Sequence, residues 1–204
     1  PLSVSLHGVN RAGVKPESKV VVYGAGMIGL GVLINLRRRG VRDIVVVDRQ
    51  EFRLDLAGRL GARATINAAR DDLRAELAKL HGESTKYGFA SVNTDIFIDA
   101  AGAGELLQRT IEICAYGARI VIVAVHRKPI PLDLLPVMAK EIELAGSIAY
   151  PGDEFQEILG MLAGREVDVT PLITHRFPLD EASTAFARAR DVDSAIKVMV
   201  TINA

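Results

Sequence analysis

Two patterns of hydrophobic and polar positions alternate along the chain. Short apolar runs, such as residues 44–47 and 120–125, lack the polar alternation of a half-exposed strand and indicate strands covered on both faces. Longer segments between them repeat apolar residues every three or four positions, as at Leu73, Leu77 and Leu80, which is typical of amphipathic helices. The sequence therefore predicts a doubly wound α/β fold, with a mostly parallel six-stranded sheet and helices on both faces.

Turn residues and changes of hydrophobic spacing set the expected limits of these elements. Strands are predicted over residues 19–23, 44–47, 64–67, 95–99, 119–125 and 143–150. Helices are predicted over residues 1–12, 30–39, 50–60, 71–80, 105–115, 131–140 and 153–164, the last with Asp153 as its N-terminal cap. Residues 81–94, rich in Gly, Ser, Thr and Asn, are predicted to form a loop. The end of the chain predicts a strand, a helix over 180–189 and a closing strand.

A glycine-rich turn joins the first predicted strand to the helix that follows it. Its sequence is Gly24-Ala-Gly-Met-Ile-Gly29, the spacing of a dinucleotide-binding turn. Gly24 permits the tight turn, Gly26 lets a pyrophosphate approach the backbone, and Gly29 lets the helix pack closely on the strand. The free N–H groups of Met27 and Ile28, at the positive end of the helix, are the expected donors to the anion.

An acidic residue completes this pattern at the end of the next strand. Asp48 lies 19 positions beyond Gly29, where a carboxylate would accept hydrogen bonds from the adenine ribose hydroxyls. Its negative charge would repel a 2′-phosphate, so the predicted cofactor is NAD rather than NADP. The neighbouring Arg49 is a cation that could tolerate that phosphate, and it leaves the strictness of the selectivity open.

Composition and charge exclude several other classes of function. Lys and Arg number 25 together, as do Asp and Glu, and a chain without net charge lacks the basic footprint of a nucleic-acid or anionic-membrane binder. The apolar runs are too short to cross a bilayer. Cys114 is the only cysteine, so a cytoplasmic location is expected and a thiolate zinc site is not. No metal ligands are predicted among His7, His81, His126 and His175. His126, just past a predicted strand, is the histidine nearest to the expected chemistry, although we interpret it as a surface-loop residue.

The residues by themselves leave more than one class of protein open. A methyltransferase also uses a glycine turn and a strand-end acid, and a free-standing NAD(H)-binding or sensing module would show the same features. Short-chain dehydrogenases are excluded, because they need a Tyr followed four positions later by Lys. The four tyrosines are followed at that spacing by Met27, Ser91, Ile120 and Glu154.

Several segments resemble the zinc-containing medium-chain alcohol dehydrogenase family, particularly its polyol, butanediol and threonine dehydrogenase branch. They include the glycine turn, Leu60-Gly-Ala, Asp99-Ala-Ala-Gly and, most specifically, Thr174-His-Arg-Phe-Pro-Leu-Asp-Glu-Ala. The resemblance implies that residues 1–17 form an interdomain helix and linker, 18–172 a dinucleotide-binding (Rossmann) domain, and 173–204 a C-terminal extension toward a catalytic domain. That catalytic domain would precede residue 1 and is missing from this chain.

The resemblance also implies a cofactor site and a division of labour. The expected cofactor-binding residues are Gly24, Gly26, Met27, Ile28, Gly29, Asp48, Arg53, Val123, Ala124, Val125, Ser147, Ile148 and Lys197. Zinc and the catalytic residues would belong to the missing domain, where hydride passes from a zinc-bound secondary alcohol or polyol to NAD. This chain alone would bind the cofactor without catalysis. The resemblance further implies a homodimer, or a tetramer built from two dimers, formed through the sheet edge near residues 129–150.

Overall fold

The computed structural model of the protein describes residues 1–202 and is dominated by one parallel sheet. Its strands in chain order are β1 (Lys19–Tyr23), β2 (Asp43–Asp48), β3 (Ala64–Asn67), β4 (Glu83–Lys86), β5 (Phe89–Val92), β6 (Ile96–Asp99), β7 (Arg119–Ile122), β8 (Glu143–Gly146), β9 (Ile173–Pro178) and β10 (Lys197–Thr201). Six of them form a sheet in the order β3-β2-β1-β6-β7-β8, with every neighbouring pair parallel. This confirms the predicted doubly wound α/β fold.

Residues 1–202 contain eight α-helices, most of which lie between successive strands. They are α1 (Leu2–Ala12), α2 (Met27–Arg38), α3 (Glu51–Arg59), α4 (Leu73–His81), α5 (Gly104–Ile113), α6 (Leu135–Ala139), α7 (Gly152–Ala163) and α8 (Ala182–Ala189). None of the helices within residues 1–202 has the length and apolar character that crossing a membrane requires.

The central strands are buried on both faces, and successive side chains point to opposite faces of the sheet. In β1, Val20 and Val22 belong to one core cluster with Leu6 of α1 and Leu33 of α2. Val21 and Tyr23 belong to the second cluster, together with residues of α4 and α5 such as Leu77 and Ile111. These two apolar layers explain why the central strands are almost continuously hydrophobic.

Several predicted limits are wrong in informative ways. The loop predicted over residues 81–94 contains an antiparallel hairpin of β4 and β5, whose two turn residues, Tyr87 and Gly88, both have positive φ as a two-residue hairpin turn requires. The helix predicted to begin at Asp153 begins at Gly152 after Pro151, without a side-chain cap. The strands predicted over 119–125 and 143–150 end at Ile122 and Gly146.

The C-terminal segment forms the predicted strand, helix and strand. Here β9 and β10 pair in parallel as a separate two-stranded sheet, with α8 between them along the chain. The predicted division into 1–17, 18–172 and 173–204 stays a prediction, and its last two residues lie outside the described part of the chain.

A buried histidine joins three elements at the amino-terminal edge of the sheet. The His81 ring, at the end of α4, has Nδ1 2.7 Å from Thr94 Oγ1 and Nε2 3.2 Å from Asp43 Oδ1. Burial lowers its pKa, since the protonated ring would lose its hydration. The charges of Lys19 and Arg63 lower that pKa further, while Asp43 opposes the shift.

Acidification should destabilise the fold through His81. Because the pKa of this ring is lower in the folded chain, the unfolded chain takes up the proton at a higher pH, and stability therefore rises with pH across this interval. We expect the free energy of unfolding to fall as the pH drops through the ordinary histidine pKa of 6.5, and to fall less in His81→Gln. Chemical denaturation on both sides of that pH measures the difference. Equal pH dependence of the two proteins would contradict this role.

Candidate functional site

The loops that follow the parallel strands gather at one edge of the sheet. The glycine turn follows β1, Asp48 ends β2, Asp99 ends β6, and Val123 and Ser147 follow β7 and β8. Because the strands are parallel, all of their carboxyl ends lie at this edge, which is where open α/β sheets bind ligands. The edge is therefore the candidate functional site.

The glycine turn has a backbone that only glycine adopts without strain. Gly24 has a φ of +88°, and a Cβ there would lie 3.1 Å from Ala100 O. A Cβ on Gly29 would lie 1.7 Å from Gly24 O, so the first turn of α2 packs directly on the loop. Because α2 begins at Met27, the N–H groups of Met27 and Ile28 belong to the first turn, where a helix has no internal acceptors. The turn thus combines room beside the backbone with free N–H groups at a positive helix end.

The carboxylate of Asp48 is tied to this turn. Its Oδ2 accepts a hydrogen bond from the Ala25 N–H at 2.6 Å, and its Oδ1 accepts from the N–H groups of Arg49 and Gln50 at 2.7 and 2.9 Å. A carboxylate offers about four acceptor positions, so room remains for a further donor. Asp48 therefore presents negative charge beside the glycine turn with its orientation fixed by backbone groups.

Arg53 supplies a cation on the other side of the same turn. Its Nη1 lies 3.8 Å from the position that a Cβ on Gly26 would occupy, and its Nη2 donates to Ala195 O at 3.0 Å. Its Nε is buried and has no hydrogen-bond partner among residues 1–202. Because buried N–H groups are nearly always paired, this donor fits an acceptor supplied by a bound anion or ribose.

A cleft of about 740 Å³ opens between the ends of β2 and α5. It is lined by the turn residue Gly24 and by Asp48. The lining also contains three charged residues, Arg49, Glu105 and Arg109, and four alanines that leave space, Ala68, Ala69, Ala101 and Ala103. This volume lies within the range of small-molecule and cofactor sites. The predicted ribose-binding carboxylate therefore lies in a cleft that is large enough for an adenosine.

The segment after β7 lies beside this cleft and leaves the sheet earlier than predicted. The Val123 and Ala124 N–H groups both donate to Asp99 O at 2.9 Å. The Val123 side chain packs on α1, where a Cβ on Gly8 would lie 2.8 Å from it. Val125 is 81% exposed and lines a second cavity of about 570 Å³ with His126 and Gly102.

Of the predicted residues, Gly24 and Asp48 line the larger cleft, and Ser147, Ile148 and Lys197 lie elsewhere. Ser147 donates its N–H to Ile122 O, while its Oγ is buried without a partner among residues 1–202; Ile148 is almost fully exposed. Lys197 begins β10 and lines an apolar groove of about 250 Å³ with Met27 and Pro1. The structure thus brings the glycine turn, Asp48 and Arg53 together, and places Lys197 in a separate groove that Met27 also lines.

Two residues of the edge are missing from the predicted site. Asp99 is only 4% exposed, and its Oδ2 lies 2.7 Å from His126 Nε2. The interpretation of His126 as a surface-loop residue is corrected, since its side chain is only 14% exposed. The sequence signal for Asp99 was an acidic residue at the end of a buried strand. Its pairing with His126 could not be predicted, because the two residues are 27 positions apart in the sequence.

Neither a metal site nor a reactive thiol is found among the described residues. No three His, Cys, Asp or Glu side chains of residues 1–202 form a group that could hold a metal ion. Residues of this part of the chain therefore do not fit a zinc site. Cys114 is buried against Ile111 O, and burial raises the pKa of its thiol to about 11. It is consequently a neutral thiol rather than a nucleophile.

An open parallel sheet with a glycine turn, a helix N-terminus and a strand-end carboxylate at its carboxyl edge defines a dinucleotide-binding domain. The zinc-binding dehydrogenase family matches residues 28–164 of the sequence. The chain belongs to this family.

Individual relatives extend the similarity over the whole chain. The L-idonate 5-dehydrogenase of Vitis vinifera is 32% identical over 206 residues, covering 99% of this chain and 54% of the relative. The structure of 2R,3R-butanediol dehydrogenase from Bacillus subtilis has a TM-score of 0.87 at 26% identity, covering 100% of this chain and 56% of that one. A Sinorhizobium meliloti protein with bound NADP has a TM-score of 0.85 at 25% identity, covering 99% and 57%. The chain spans about half the length of the curated relatives it matches.

Proposed function

We propose that this chain is the NAD-binding domain of a zinc-dependent alcohol or polyol dehydrogenase. The observation that carries the proposal is the Asp48 carboxylate held against the glycine turn by Ala25 N–H, beside the first turn of α2. The Met27 and Ile28 N–H groups would bind the pyrophosphate, Asp48 the adenine ribose, and Arg53 would add positive charge. When bound, NAD supplies the hydride acceptor.

The nicotinamide half would extend toward the ends of β7 and β8. In the proposed arrangement, backbone groups of Val123, Ala124 and Val125 line the nicotinamide pocket, and those of Ser147 and Ile148 contact the carboxamide. The unpaired Ser147 Oγ supports a polar ligand there. Lys197 is retained as a cation near the pyrophosphate because it shares a groove with Met27 of the helix N-terminus.

The substrate and the metal belong to a part of the longer relatives that this chain does not cover. Family membership favours a dehydrogenase over the methyltransferase that the glycine spacing left open. The names of the L-idonate and butanediol enzymes support a secondary alcohol or polyol as substrate. A free-standing NAD(H)-binding module remains the competing proposal, and a reading frame extending upstream with Cys, His and Glu ligands would decide for the dehydrogenase.

The purified chain should bind NADH without oxidising alcohols. Its described residues offer a cofactor cleft but no group that could hold zinc, and polarisation of the alcohol oxygen depends on that metal. Isothermal titration with NADH and an absorbance assay with NAD plus butanediol or sorbitol test both halves of this expectation. Turnover by the chain alone would contradict the binding-only role, whereas absent NADH binding would contradict the cofactor assignment.

Replacing Asp48 should change the cofactor preference. Asp48→Ser removes the charge that repels a 2′-phosphate while Arg49 remains, so we expect the ratio of the NADPH to the NADH dissociation constant to fall about tenfold, close to 1.4 kcal/mol. The ratio is the informative quantity, because loss of the bond to Ala25 N–H would weaken both ligands. Asp55→Ser, on the exposed face of α3, is the matched control. An unchanged ratio in Asp48→Ser would contradict the ribose assignment.

The chain should dimerise through the edge formed by β8. This strand is the last in its sheet and has exposed apolar residues on and around it, among them Leu144 and Met138; a second copy would pair its unpaired edge. We expect sedimentation velocity to show a dimer, and Leu144→Glu with Met138→Glu to weaken it at least about tenfold. Phe186→Glu, at an exposed apolar residue of α8, should leave the dimer intact. A monomeric wild type would contradict this assembly.

A further inference from the structure

The Asp99 carboxylate, like that of Asp48, accepts three hydrogen bonds at the candidate site. It ends β6, between β1 and β7, and its carboxylate is buried. Its Oδ1 accepts hydrogen bonds from the N–H groups of Ala101 and Gly102, both at 2.9 Å. Its Oδ2 accepts a bond of 2.7 Å from the His126 ring. A buried carboxylate is stable only when such donors replace its hydration. The three donors therefore stabilise the charged carboxylate, and the carboxylate in turn holds the turn and the His126 ring in position.

The main chain of the same residue is bonded to the segment after β7. Asp99 O accepts from both Val123 N–H and Ala124 N–H at 2.9 Å. Residues 123–126 are consequently attached to Asp99 at both ends, by backbone bonds at the start and by the His126 ring at the end. Val125, between these two attachments, is exposed toward the cavity that it lines with His126.

Close packing between the two loops reinforces this arrangement. Gly102, in the turn after β6, has a φ of +71°. A Cβ at this position would lie 3.3 Å from Ala124 Cβ and 3.4 Å from Val125 O. The backbone of residues 123–126 therefore rests against the turn that the Asp99 carboxylate holds.

We propose that His126, held by Asp99, is a positioning residue that fixes residues 123–126 for contact with the nicotinamide half of NAD. This inference rests on the proposed function. The physical reason is preorganisation: a loop already held in its bound conformation loses less entropy when the ligand binds. A charge-assisted bond to a buried carboxylate is strong enough to hold a loop in this way. The adenosine part of the site is separate, since Asp48, Arg49 and Ala68 line the larger cleft, whereas His126 lines the second cavity.

The test compares NADH with ADP-ribose, which has the adenosine and pyrophosphate but no nicotinamide. In His126→Leu we expect calorimetry to show NADH binding weakened about tenfold and ADP-ribose binding unchanged within about twofold. His126→Gln should restore NADH binding, because its amide nitrogen can donate to Asp99 Oδ2 in place of the ring N–H. His126→Asn is too short to reach that oxygen, and it provides the second broken variant if His126→Leu does not fold.

A matched control separates positioning from general stability. His7 also binds a carboxylate, that of Glu154 at 3.0 Å, but it joins α1 to α7; His7→Leu should therefore leave the ratio of the two dissociation constants unchanged. Equal NADH binding by wild type and His126→Leu, or equal loss of both ligands, would overturn the positioning role. Equal affinity of the wild-type protein for NADH and ADP-ribose would also overturn it, because the nicotinamide would then contribute nothing to binding. Binding of neither ligand by the wild type would instead refute the proposed function.

Discussion

The parallel pairing of β1 with both β2 and β6 is the constraint on which the rest of the molecule depends. Val21 lies opposite Val45 on one side and Phe97 on the other, and burial of such residues on both faces fixes the register, because a slip by one residue would exchange the two apolar layers. Strands that run in the same direction must also end at the same edge. The glycine turn, Asp48 and Asp99 are neighbours for this reason alone.

The polar groups at this edge are stabilised mainly by backbone N–H groups. Asp48 and Asp99 each accept bonds from N–H groups of the turns beside them, and these bonds compensate for the hydration that the carboxylates lose on burial. Each carboxylate therefore holds a loop as well as presenting charge. Within residues 1–202, Arg53 Nε and Ser147 Oγ are buried without hydrogen-bond partners. Both belong to the proposed cofactor-binding residues, where a polar ligand would satisfy them.

The proposed division of chemistry follows from what these groups are able to do. N–H groups, a fixed carboxylate and a guanidinium bind and orient a dinucleotide, but they do not polarise an alcohol in the way a metal ion does. Residues 1–202 contain no group of side chains that could hold such an ion. In the proposed function, cofactor binding and metal binding are therefore supplied by different parts of a dehydrogenase, and residues 1–202 supply the first.

The sequence by itself determined the features that depend on neighbouring residues. Hydrophobic spacing predicted the strands of the parallel sheet and the helices that cover it. The glycine turn followed by Asp48 predicted the edge of the sheet at which a cofactor would bind, because a tight turn and a strand-end acid are local properties. Only the tertiary structure decided where β7 ends, since the N–H groups of Val123 and Ala124 turn away to Asp99 O. The Tyr87-Gly88 hairpin also escaped prediction, because a tyrosine with positive φ is uncommon. The bond between His126 and Asp99 spans 27 positions and that between Arg53 and Ala195 spans 142, and such contacts exist only after the sheet has brought distant loops to one edge.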